Sequence, residues 1–72
     1  MKSNELSPAE LQAERNELSI KLHRLEAFLD SVVGHEVTKE LADQLELLVQ
    51  QRLVMMEYIS ILDNRIALLQ GT

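Results

Sequence analysis

From Leu41 to Leu69 the chain repeats one spacing without a break: Leu41, Leu45, Leu48, Arg52, Met55, Ile59, Leu62, Ile66 and Leu69 follow alternating steps of four and three. That spacing places all of these side chains on one stripe of a single long α-helix. A second stripe of Leu47, Val54, Ile61 and Leu68 runs beside it, with Tyr58 and Arg65 interleaved. A helix apolar on two faces is not soluble alone, and a chain of 72 residues holds little else to cover it. The pattern predicts assembly.

The rest of the composition fits one small helical domain spanning residues 1–72. Phe28 and Tyr58 are the only aromatics, and glycine and proline nearly vanish. The chain has no cysteine, so it offers neither a disulfide framework nor a thiolate site. The start, Met1-Lys2-Ser3-Asn4-Glu5, lacks an apolar signal core, and no apolar run approaches the ~20 residues that span a bilayer. These features predict a cytoplasmic protein with no membrane contact. A net charge of −5, with seven cations scattered along the chain, argues against DNA as a partner. It does not argue against a small anion, because arginines converging at an interface outweigh net charge at short range.

Ser7-Pro8-Ala9-Glu10 reads as a helix start, with Ser7 as cap, Pro8 in the first turn and Glu10 three residues after the cap. From there Leu11, Arg15, Leu18, Leu22, Leu25, Leu29 and Val32 keep the four-three spacing. Gly34 can supply the left-handed residue that ends a helix, and Thr38 can cap the next. The expectation is all-α: helix 1 over about 8–33, a loop at 34–38 and helix 2 over about 39–69. A short loop makes the two helices antiparallel neighbours in a hairpin, which then builds a homo-oligomeric helical bundle. Folding about Gly34 and His35 would set Leu29 against Leu41, Leu25 against Leu45, Leu22 against Leu48, Leu18 against Arg52 and Arg15 against Met55. Ile66, Leu68 and Leu69 would then overhang helix 1 and call for another protomer.

Few residues could carry chemistry. His35-Glu36 resembles the opening of a zinc-protease helix, but Lys39 stands where the second histidine belongs. No metal site, no cofactor and no catalytic set is expected, and the chain is read as a non-enzyme. Arg15 and Arg52 occupy seam positions, where a charge either fixes register through rim acids or lines a pocket between protomers. Glu14 and Glu17 read as ordinary solubilising charges on an open face. Tyr58 and Arg65, one heptad apart, share a face. They are either an interface aromatic with an ion pair, or a stacking surface beside a phosphate fork.

Several stretches carry a resemblance: Glu14-Arg15-Asn16-Glu17-Leu18, then Lys21-Leu22-His23-Arg24-Leu25-Glu26-Ala27-Phe28-Leu29, then Gln44-Leu45-Glu46, and the ending from Met56 through Tyr58 and Arg65-Ile66-Ala67 to Leu68. Across about residues 14–69 the chain resembles the bacteriophage hairpin-domain proteins grouped with the anti-CBASS and anti-Thoeris sponges. The resemblance implies a homo-oligomer, commonly a hexamer, that binds cyclic oligonucleotide or cyclic ADP-ribose-type signals without cleaving them. It would act in the cytoplasm of the bacterial host and keep a defence effector switched off. It also implies ligand contacts: Arg65 on phosphate, with Lys21 and Tyr58 beside it. The alternative is a structural hairpin, an oligomerisation module or adaptor whose partner is another protein.

Overall fold

The structure, a computed structural model, describes residues 7–71, so the reading of the Met1–Glu5 segment lies outside the described residues. Two helices, α1 (Pro8–Ser31) and α2 (Lys39–Gly71), pack as an antiparallel hairpin. The longest dimension is 50 Å. That is the length of α2 itself, since 33 residues at about 1.5 Å each span about 50 Å.

The ends of the helices follow local chemistry. Ser7 is extended, and its Oγ accepts the Glu10 backbone N–H at 3.5 Å, while Pro8 occupies the first turn. Thr38 caps α2 from its side chain, its Oγ1 accepting the Leu41 N–H at 3.1 Å. α1 stops at Ser31, two residues before the expected end. Its last carbonyls tighten into three-residue turns: Leu29 O accepts from Val32 N, and Asp30 O from Val33 N. The Ser31 hydroxyl donates back to the Phe28 carbonyl at 2.6 Å. Gly34 then reverses the chain at φ +83°, the left-handed conformation expected of it.

Both seams face inward as their spacing demands. Leu18, Leu22, Leu25 and Leu29 of α1 and Leu41, Leu45, Leu48, Met55 and Ile59 of α2 are all partly buried. Among the described residues the buried side chains lie at the end remote from the loop, where Leu11, Leu62 and Ile66 form a cluster with Leu18 packed against it.

That cluster corrects the expected register. Ile66 does not overhang: it is core, and Leu11 packs into the same cluster. Arg15 meets Asp63, not Met55, and Arg52 meets Glu26, not Leu18. Leu29 shares a cleft with Leu45 and Val49. The cross-hairpin pairs thus meet α2 further along than a tight reversal at Gly34 would set them, by eight residues at Arg15 and Glu26 and by two at Glu14. The cause is the connection. After the turn at residues 32–35 three residues, 36–38, follow without regular structure before α2 starts at Lys39, so the reversal takes more chain than a tight turn at Gly34 would. The overhang shrinks to the last turn, where Leu68 and Leu69 are exposed.

Leu62 is fully buried at the centre of the small core, so Leu62→Ala removes methyl groups that nothing can replace. A loss of about 2–5 kcal/mol is expected in denaturant melts. A change under about 0.5 kcal/mol, the scale of a surface substitution, would refute this register.

Candidate ligand-binding face

Among the described residues, polar side-chain pairs cross the hairpin and join α1 to α2. Arg15 Nε donates to Asp63 Oδ1 at 2.9 Å. Arg52 Nη1 lies 3.6 Å from Glu26 Oε2. Tyr58 donates its hydroxyl to Glu14 Oε2. The two seam arginines therefore act as register ties, reaching past their apolar neighbours to acids at the rim. Their pairs are half exposed, so each contributes at most about 1 kcal/mol and acts more on alignment than on total stability.

Tyr58 and Arg65 stand one heptad apart on α2 and face the same side. The tyrosine is 38% exposed, enough to offer a ring face to a ligand, and Arg65 is half-buried. The Glu14 hydrogen bond raises the Tyr58 pKa above its ordinary value, with partial desolvation and the Glu14 charge adding to the effect; Arg65 opposes it by favouring the phenolate. Arg65 is thus close enough for its field to be felt at the tyrosine hydroxyl. Glu14, Tyr58 and Arg65 make one patch.

Lys21 lies on the same side of α1 as Glu14, a heptad nearer the loop, and is exposed. Arg65 lies a heptad from Tyr58 in the opposite direction. Along the hairpin Lys21 and Arg65 are therefore about 20 Å apart, at about 1.5 Å per residue. One protomer does not bring the two cations to one phosphate.

A concavity sits at the loop end. It is an open cleft of about 580 Å³ with apolar walls from Leu29, Val32, Val33, Leu45 and Val49, and with Glu26, Asp30 and Arg52 at its polar edge. Arg52 is thus both a register tie and a cleft wall. Neither histidine approaches a ligating set: His23 Nδ1 lies 3.0 Å from the Ser19 carbonyl of its own helix, and His35 is an exposed loop residue. Among the described residues no group of three or more His, Cys, Asp or Glu is placed to hold a metal ion, and no helix is long and apolar enough to cross a membrane.

Glu14 is the residue that the sequence reading missed. On α1 alone it is one more surface carboxylate, and its partner lies 44 positions away. The antiparallel hairpin brings it to Tyr58, and a tyrosine on the same outer face of a two-helix pair was a cue to look for an acceptor.

A family model described as Sequestin matches residues 9–68, a name that points to sequestration of a ligand. The match contains Glu14, Lys21, Tyr58 and Arg65. No curated protein and no solved structure matches the chain.

Tyr58 is the only tyrosine, so its phenolate absorbance can be titrated without interference. Its midpoint should lie above the ordinary value of about 10 and fall towards it in Glu14→Gln, which carries no negative charge. A group whose pKa rises on folding favours the folded state below its ordinary value, and that contribution vanishes as pH climbs through the raised value. Alkaline stability should therefore decline less steeply in Tyr58→Phe. A wild-type midpoint at or below 10 contradicts the Glu14 bond.

Proposed function

The chain belongs to the Sequestin family, and on that footing we propose that it is a phage anti-defence sponge for cyclic nucleotide immune signals. It takes up cyclic oligonucleotides or cyclic ADP-ribose isomers in the cytoplasm of the bacterial host and holds them uncleaved, so that the defence effector is never triggered. The family match over residues 9–68 is the observation that carries this reading. The patch on α2 supplies chemistry to go with it: a ring face at Tyr58 for a base, and planar donors at Arg65 for a phosphate.

The working unit in this reading is a homo-oligomer, with a hexamer favoured. Leu47, Val54, Ile61 and Leu68 form a straight outer stripe on α2 and are 59, 62, 50 and 69% exposed. Among the described residues thirteen large hydrophobic residues are exposed against three that are buried, which supports the oligomer reading. Another copy that covers the outer stripe would also flank Tyr58 and Arg65, which are interleaved with it. Lys21, too far from Arg65 within one protomer, would serve a ligand only from a different copy.

Calorimetry against cyclic di- and trinucleotides and cyclic ADP-ribose isomers tests the reading, with chromatography of the released ligand. Binding with intact recovery is expected. Heat with none of them favours an adaptor for another protein, and recovery of a cleaved product indicates an enzyme.

Two sets of variants separate site from assembly. Arg65→Ala should leave the oligomer in place and lower affinity by more than tenfold, the effect of losing a charge-assisted bond of about 1.5–3 kcal/mol. Arg65→Lys should bind poorly as well, because an ammonium does not reproduce the planar fork. Val54→Asp with Ile61→Asp should instead break the assembly, since it places carboxylates in an apolar contact. Sedimentation of the native chain as a stable monomer at micromolar concentration contradicts the oligomer.

A further inference from the structure

Glu14 is an unexpected neighbour for a phosphate site. Its Oε2 accepts the Tyr58 hydroxyl, and the Arg65 charge is felt at that same hydroxyl from one heptad away. The patch therefore has two chemically opposite ends. Arg65 offers only donors, suited to a phosphate; Glu14, ionised, offers only acceptors and repels one. A ligand spanning both ends must be anionic near Arg65 and rich in hydrogen-bond donors near Glu14. Tyr58 lies between them with a ring exposed enough to stack on.

Among nucleobases that requirement discriminates. The pairing edge of guanine carries two adjacent donors, N1–H and the N2 amino group, which suit the acceptor-only face of a carboxylate. The same edge of adenine carries one donor and one acceptor, and its N1 lone pair faces a carboxylate unfavourably. The Tyr58 bond does not exhaust Glu14, because a carboxylate has about four lone-pair directions.

We propose that Glu14 is a specificity-determining residue that selects guanine-bearing over adenine-bearing cyclic nucleotides at the Tyr58–Arg65 face. This inference rests on the sponge reading, and it adds to that reading the chemistry of the base. The tyrosine bond gives Glu14 a second duty, which is to hold its carboxylate beside the ring against which the base stacks.

The test is calorimetry of the full chain with cyclic di-GMP and with cyclic di-AMP, repeated on Glu14→Gln. Glutamine keeps a carbonyl for the Tyr58 hydroxyl and offers one donor and one acceptor, the complement of an adenine edge. The native chain should bind cyclic di-GMP about tenfold or more tightly than cyclic di-AMP. Glu14→Gln should lose about tenfold for the former and hold or gain for the latter, with helicity and melting unchanged. Equal native affinities, or a ratio that Glu14→Gln leaves in place, overturn the role of Glu14; if Arg65→Ala still removes that binding, the sponge reading stands without it. Native binding to neither dinucleotide also overturns the inference, and cyclic trinucleotides and cyclic ADP-ribose isomers then decide the sponge reading on their own.

Discussion

The hairpin depends on two leucine-rich seams that meet face to face, and everything else in the structure adjusts to that contact. Neither helix has a second apolar layer to lean on, so residues along the seams are only partly covered. Among the described residues only Leu11, Leu62 and Ile66 are buried. With so little core, alignment falls to the cross-hairpin polar ties. Arg15 with Asp63, Arg52 with Glu26 and Tyr58 with Glu14 are each modest in energy, but they fix α1 at two places, residues 14–15 and residue 26. Seams of leucine slide past one another by a turn at little cost. Ties between particular residues do not.

That division explains what could be read from the sequence. The four-three spacing placed the inward residues of both helices correctly, because helical periodicity is local. Ser7, Gly34 and Thr38 were legible as caps and as the left-handed turn for the same reason. Register was not. A leucine at one turn of a heptad looks like a leucine at the next, and the irregular stretch at residues 36–38 leaves no periodic signature. The slip has a consequence beyond geometry: it puts Ile66 in an overhang when it belongs to the core.

The candidate site shows the same split. Tyr58 and Arg65 could be paired from sequence because they sit on one helix a heptad apart. Lys21 shares their side of the molecule but not their position along it, a fact that depends on how α1 is aligned with α2. The patch that results is not a simple cationic sink. It puts an acceptor, a ring and a guanidinium on the outer face of an acidic protein, next to an exposed apolar stripe. A phosphate alone would use one end of such a face; a nucleotide would use all of it.

A crystal structure of the chain with a bound cyclic dinucleotide tests this account most directly, because it reads the ligand site and the assembly together. The account predicts a phosphate oxygen within about 3 Å of the Arg65 guanidinium. It also predicts a base against Tyr58, and Leu47, Val54, Ile61 and Leu68 covered by another copy of the chain. A ligand seated instead in the cleft beside Arg52 at the loop end, or a lone hairpin with the outer stripe bare, would contradict it.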